Sequence, residues 1–510
     1  MKPFWGIVIV FITVSLIAAP VKQIKKLDGS TINTGEIDKT MIGLMDAANV
    51  TGLALAILNN NKIAYLKTFG FRNREKGALL DENTIMLGAS FSKAVFAYLA
   101  MQLVQEGILD LDKPLCRYLD KPLPEYDGYQ DLAADEQWKL ISARMCLSHT
   151  TGFPNARWLN PRGNNKLEIF FRPGTRYAYS GEGIQLLQLA IEKITGKEVE
   201  KLAREKIFRP LGMKSTSYVW QDMFKNNFAV GHDDIEIPVD YYTGKMTRAS
   251  AGGSLQTSIS DYAKFIAAVM QGKGLKKSSR QMMLAPQIAI RSRHQFPSLA
   301  EEVTDQNDSI ALSYGLGWGL FKCQYGRAFF KEGHGEGWQN YNVNFPDRKI
   351  SIIIMTNSDN GEKIFKDVLE KTIGDTFTPW EWEGYIPYYS MKKQSVGRRL
   401  YDIIKLKDVQ VAIMKYRRIK ASSSKAYNFA ESELHNLAKQ MIKENRIDDA
   451  VELFKLNVEE YPDSANVYDS LGEAYMSKGN KELAIKNYKK SLVLDPKNTN
   501  AAEMLQKLDE

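Results

Sequence analysis

Ser90 and Lys93 form an S-x-x-K pair that opens a long apolar stretch, Ser90 to Gln105. On a helix this spacing puts both side chains on one face, one turn apart. A serine hydroxyl is a weak nucleophile until a neighbouring base takes its proton. A lysine stripped of water has a lowered pKa and can act as that base. The start of a helix also directs backbone N–H groups at a developing oxyanion. The pattern alone does not choose, because it recurs at Ser390 and Ser422. Those two lie in a basic segment with no apolar helix behind them. Only Ser90 opens such a helix, after the small residues Gly88 and Ala89.

Other residues have chemistry within reach and an ordinary reading beside it. Tyr179 could carry a proton or be a core aromatic. His149 could catalyse, but a residue in that setting more often orders a loop. His334 sits between Gly333 and Gly335, which suggests backbone crowding against a ligand. Trp338 reads as a pocket wall.

Their order along the chain carries more. After Ser90-x-x-Lys93 come residues 147–152 (LSHTTG), Pro173-Gly174-Thr175, residues 177–181 (YAYSG), residues 207–213 (IFRPLGM), Ala251-Gly252-Gly253 and residues 333–337 (GHGEG). This ordered set resembles the serine β-lactamase and penicillin-binding-protein superfamily, in its class C branch of β-lactamases, esterases and D-aminopeptidases. The resemblance covers about residues 30 to 360. It implies that Ser90 is acylated, that Lys93 shares its proton, and that Tyr179 is the general base. A tyrosine, ordinarily near pKa 10, can do this only where cations favour its phenolate. His334 falls at the Lys or His of the family's K-T-G or H-x-G block, with Gly335, Gly337 and Trp338 as substrate-binding neighbours. The backbone N–H of Ser90 and one near Gly337 would hold the oxyanion. No metal and no organic cofactor is implied. Two positions depart from the pattern. Gly181 replaces the Asn whose amide holds the substrate's acylamino group, and Glu336 replaces a Gly. An acid there would repel a β-lactam carboxylate, so the expectation tilts to an ester or a peptide. The alternative is a catalytically weak protein that recognises penicillin-like or peptide ligands.

These side chains need a frame. Residues 51–59 and 62–70 read as two strands around a turn, as do 338–345 and 350–356. Residues 90–105 and 185–194 read as helices, the second stopped by Gly196. Strands at both ends with helices between give an α+β domain, residues 27–385, with a mainly antiparallel sheet flanked by helices.

The C-terminus has another texture. Tyr468, Leu471, Gly472, Tyr475, Gly479, Ala484, Tyr488 and Pro496 align with Leu434, Leu437, Ala438, Met441, Asn445, Ala450, Phe454 and Pro462 at a 34-residue period. That is the tetratricopeptide (TPR) pattern of helix pairs. It gives an all-α repeat domain at 431–510: repeats 431–464 and 465–498, then a capping helix. Ala412 and Tyr416 are spaced like a degenerate half-repeat within a basic helical linker, 386–430. A protein or peptide partner is expected at the TPR face.

With 510 residues, 44% of them apolar, the chain has room for two to four domains of roughly 150 residues. The net charge of +8 is concentrated at 391–425, which holds eleven Lys and Arg against two Asp. Such a run reads first as a solvated helix face, and no nucleic-acid partner is expected. Lys2, an uncharged run from Phe4 to Ala19, and Lys22, Lys25 and Lys26 read as a signal peptide or membrane anchor at 1–26. The expectation is export to a periplasmic or extracellular site. Three scattered cysteines show neither a disulfide framework nor metal spacing.

Overall fold

The computed structural model describes residues 23–234, 236, 238–239, 246–390, 393–421 and 427–509. The expected targeting segment falls almost wholly on residues outside these. No helix among the described residues is long and apolar enough to cross a membrane. The chain forms two compact units that divide between Tyr388 and Tyr389.

The first unit is built on a nine-stranded sheet. We label its strands and their partners β1 (Gly52–Asn59), β2 (Lys62–Asn73), β3 (Ala78–Leu79), β4 (Met86–Ala89), β5 (Leu255–Thr257), β6 (Ile288–Ala289), β7 (Ser313–Tyr314), β8 (Gly319–Cys323), β9 (Gly326–Gly335), β10 (Trp338–Phe345) and β11 (Ile350–Thr356). The sheet order is β3-β2-β1-β11-β10-β9-β8-β7-β6, and every pairing is antiparallel. Strands from both ends of the unit therefore meet at β1 and β11, where Ala56 faces Ile353. The short pair β4–β5 stands apart and carries the chain into Ser90.

Alternation along β1 explains the layering. Ala54, Ala56 and Leu58 join one core and Leu53, Leu55 and Ile57 the other. A strand buried on both faces reads as a continuous apolar run, as TGLALAILN does. The main helices of this unit are α1 (Thr34–Ala48), α2 (Phe91–Gln105), α3 (Gly181–Thr195), α4 (Ile259–Gln271) and α5 (Phe365–Thr372). Helices α1 and α5 cover one face through Ile37, Met41, Phe365 and Leu369. Helix α2 lies in the other core, buried from Phe91 to Leu103. A helix apolar on all sides must be an interior one, and Phe91 stacks on Tyr262 of α4 at 4.1 Å.

The second unit is helical apart from a two-strand pairing of Gln394–Ser395 with Tyr427–Asn428. It comprises α6 (Val396–Leu406), α7 (Val409–Ala421), α8 (Glu431–Lys443), α9 (Ile447–Glu460), α10 (Ala465–Ser477), α11 (Lys481–Leu494) and α12 (Thr499–Asp509). Small residues sit where helices cross: Ala412, Ala438, Ala450, Ala474 and Ala484 are all fully buried. Three residues of the basic run pair with acids of the neighbouring helices. Lys405 meets Glu444 at 3.2 Å, Arg417 meets Glu459 at 2.8 Å, and Lys420 pairs with Glu460.

Candidate active site

Strand β4 ends at Ala89, which is forced to φ +46°, a conformation that non-glycine residues rarely adopt and that costs of order 1–3 kcal/mol. The kink delivers Ser90 to the N-cap of α2, just ahead of Phe91. Its hydroxyl caps no backbone N–H of the helix, so it is free to meet Lys93, whose Nζ lies 2.9 Å away. Lys93 is buried and also donates to the carbonyl of Gly252. Ser92, by contrast, is committed to structure. Its hydroxyl donates to Ala89 O and accepts from Leu255 N–H, tying β5 to the helix.

Tyr179 reaches the same place from the segment before α3. It is 3% exposed. Lys93 Nζ lies 5.1 Å from its ring centre. Lys331 Nζ, on β9, lies 3.0 Å from its hydroxyl and 4.6 Å from its ring centre. Burial alone would raise the phenol's pKa. The charges of Lys331 and Lys93, with hydrogen bonding by Lys331 and Ser90, outweigh burial and hold it below the ordinary tyrosine value. Burial lowers Lys93, and the Lys331 charge adds to that, against the opposing pull of Tyr179. Burial also opposes the charge on Lys331, but Tyr179, Tyr314 and Glu332 raise it well above the ordinary lysine value. Lys331 is thus the fixed cation, and Lys93 with Tyr179 forms the pair that can pass a proton.

His149 holds this tyrosine in position. The rings lie 4.2 Å apart, and His149 Nδ1 accepts the Ser180 N–H at 3.2 Å. Burial and then the two lysines push its pKa well down, so it stays neutral and braces the loop.

Glycine at 333 is required by close approach. A Cβ there would lie 2.4 Å from Gly88 O and 3.3 Å from Ser90 N. Asn340 Nδ2 donates to both Leu87 O and Gly333 O, pinning β9 to β4 at this point.

The expected use of the GHGEG block needs correction. The side chain that β9 brings to Tyr179 is Lys331, not His334. His334 and Gly335 border the cleft, but the His334 side chain turns toward Glu362, with Nε2 3.8 Å from Oε1. It lies three positions along the strand from Lys331, and an odd step on a strand reverses the face. Lys331-Glu332-Gly333 therefore occupies the place of the K-T-G block, with Glu332 in its middle position. Gly337 offers no oxyanion donor, because its N–H is held by Asp359 Oδ1 at 2.6 Å. Trp338 is 4% exposed and belongs to the core beneath the cleft. The overlooked signal was a K-x-G triplet just ahead of the more conspicuous glycines.

The Gly181 departure has a physical cause. Its N–H donates to both the backbone O and the Oδ1 of Asn155, each at 3.0 Å. A Cβ at 181 would lie 2.7 Å from Asn155 O, so an Asn cannot enter. Asn155 itself borders the cleft and brings an amide to the same neighbourhood. Glu332 is buried and accepts from Gln295 Nε2. Burial, and then neighbouring acids including Glu332, raise Glu383 well above the ordinary carboxylate range. The cleft has a volume of about 670 Å³, a size suited to a small organic or peptide ligand. No cluster of three or more metal-ligating side chains occurs among the described residues.

Residues 37–371 match the Beta-lactamase family model. The chain belongs to that family. Residues 465–498 match the tetratricopeptide repeat model. A Beta-lactamase relative, from Pseudomonas fluorescens, is 25% identical over 56% of this chain and 74% of its own length. Penicillin-binding protein 4* of Bacillus subtilis (strain 168) is 22% identical over 60% of this chain and 68% of its own. Among solved structures, EstCE1, described as a hydrolase with promiscuous acyltransferase activity, superposes with TM-score 0.54 at 17% identity, over 67% of this chain and 98% of that one. The D-alanine carboxypeptidase AmpC from Burkholderia cenocepacia gives 0.51 at 18% identity, over 64% and 93%. The Beta-lactamase fold and the TPR module expected from the sequence are both present.

Proposed function

We propose that this member of the Beta-lactamase family is an exported serine acyl hydrolase that works through an acyl-enzyme on Ser90. The observation that carries this reading is the Ser90–Lys93 contact at 2.9 Å with Tyr179 set between two buried lysines. Ser90 Oγ attacks the substrate carbonyl, and its proton passes to the phenolate of Tyr179 directly or through Lys93. The negative oxygen accepts from the Ser90 N–H and from the peptide that follows Gly333, which the close approach of Gly333 to Ser90 brings alongside. Tyr179 then returns the proton to the departing alcohol or amine. A water molecule gives a proton to Tyr179 and attacks the acyl carbonyl, and Tyr179 then returns that proton to Ser90 Oγ as the acid leaves. Positioned donors and a base of tuned pKa are the physical source of such rates. The TPR unit would bind a protein or peptide partner.

A second reading, a slow-acylating ligand sensor, draws on Gly181 and Glu332. One experiment tests both. Purified full-length protein is exposed to a fluorophosphonate and weighed intact, with Ser90→Ala alongside. One mass addition on the wild type and none on the variant supports an activated serine, and turnover of simple esters then separates hydrolase from sensor. No addition on folded wild type rules out the hydrolase.

A further inference from the structure

A cavity of about 650 Å³ opens elsewhere on the first unit and shares no lining residue with the cleft at Ser90. It lies between the end of α4, the short helix Lys277–Met283, the β8–β9 hairpin and the Pro346-Asp347 turn that joins β10 to β11. Arg327 in its wall stands six residues before Gly333 on β9. At roughly 3.3 Å per residue, that sets it about 20 Å along the strand from the point where Gly333 meets Ser90. The cavity is a separate space.

Its floor is apolar. Leu320 and Phe329 face each other across β8 and β9, with Leu275 and Leu284 on the helical side. Its rim is charged, and three cations, Lys277, Arg280 and Arg327, share it with one acid, Asp347. Among the described residues none of the four is in an ion pair. Lys277 and Arg327 are exposed, and alone they would be ordinary solvated charges.

Arg280 is different. It is half-buried and packs against the bare Gly272, where a Cβ would lie 3.0 Å from its Cδ. Its Nη2 donates to Met270 O at 2.6 Å. Nε is shut off from solvent without a partner, and Nη1 has no acceptor among the described residues. Burial pushes its pKa down against the weaker pull of Tyr98. A guanidinium in such a setting is ordinarily matched by an anion. Here an open cavity takes the anion's place. Its fork fits a carboxylate, and Asp347 on the rim disfavours a doubly charged head.

We propose that this cavity is a second ligand site, separate from the cleft, that takes a medium-chain carboxylic acid. The carboxylate meets Arg280, with Lys277 and Arg327 around it, and the alkyl chain covers Leu320 and Phe329. The site stands independently of the acyl-enzyme reading.

Calorimetric titration of the full chain with octanoate, butanoate and octylammonium tests it. Octanoate should bind saturably and at least about tenfold more tightly than butanoate, which lacks four methylenes. It should exceed octylammonium, of equal tail and opposite charge, by a similar factor. Arg280→Gln should weaken octanoate by about tenfold or more, and Arg327→Gln should weaken it by a smaller factor. Arg327 is exposed, so its variant keeps the fold and decides the matter should Arg280→Gln unfold. Absence of saturable octanoate binding overturns the proposal. So does octanoate binding that Arg327→Gln and a folded Arg280→Gln leave unchanged, and so does equal binding of octylammonium or butanoate.

Discussion

Lys331 Nζ stands 3.0 Å from the phenolic oxygen of Tyr179, while Lys93 Nζ sits 5.1 Å from the centre of the same ring. Lys93 touches the nucleophile and Lys331 does not. The two lysines are therefore placed for different work: in the proposed mechanism Lys93 exchanges a proton with Ser90, and Lys331 sets the potential at the base.

Replacing Lys331 by Met tests that division. Tyr179 acts as a base only when ionised, so kcat/KM rises with pH through its apparent pKa, which the two cations hold below the ordinary value. Loss of the Lys331 charge raises that pKa. The rising limb of the pH–rate profile should move up by about one unit or more, since one unit corresponds to roughly 1.4 kcal/mol of charge interaction. A limb that stays in place would assign the base elsewhere.

Tyr179→Phe keeps the ring against His149 and removes the proton carrier. Loss of a general base costs about 10²–10⁴-fold. Steady-state ester hydrolysis should fall by that factor while the far-ultraviolet circular dichroism stays that of the wild type.

Gly333→Ala inserts a methyl 2.4 Å from Gly88 O, backbone against backbone, with no side chain free to give way. The strand must retreat from Ser90. Displacements of this kind cost about 100-fold in rate. The expected outcome is a kcat/KM lower by that order with the far-ultraviolet circular dichroism of the wild type.

Asp359 gives a prediction about stability. Burial pushes its carboxyl up to about 6 against the lowering effect of the Gly337 N–H, from an ordinary value of 3.8. The folded state thus binds this proton more tightly than the unfolded chain does. The resulting stabilisation is complete below the unfolded value and is lost as pH rises through about 6. Asp359→Asn stays neutral and keeps an acceptor for Gly337. It should be more stable than wild type by roughly 3 kcal/mol at neutral pH, an advantage that vanishes in acid. Denaturant titrations at several pH values measure it.

Gly472→Ala probes the helical unit. The new Cβ would lie 2.8 Å from the Tyr488 ring, and overpacking of this kind costs about 1–3 kcal/mol. Calorimetry of the full chain should register the loss, while the rate of fluorophosphonate labelling stays as in the wild type.

What could be read from sequence depended on how local the signal was. Ser90 and Lys93 sit on one helical turn, and Tyr179 sits in a recognisable block. The central strands announced themselves by unbroken apolar runs such as ISIIIMT. Lys331 was missed because only strand register decides which face a residue takes, and the glycines around His334 pointed three residues downstream. The need for glycine at 181 was invisible because it arises from contact with Asn155 on a separate loop.

The seam between β1 and β11 governs the order of assembly. Ala56 and Ile353 are direct neighbours in the middle of the sheet, yet most of the first unit is synthesised between them. Until Ile350 has emerged, the β1–β2 hairpin presents an apolar edge that its rightful neighbour cannot yet cover. Long-range pairings form slowly, and bare strand edges invite association between chains. A growing or truncated chain that ends before β11 is therefore a template for aggregation, and the final strand acts as the closing stave that makes the rest of the sheet safe.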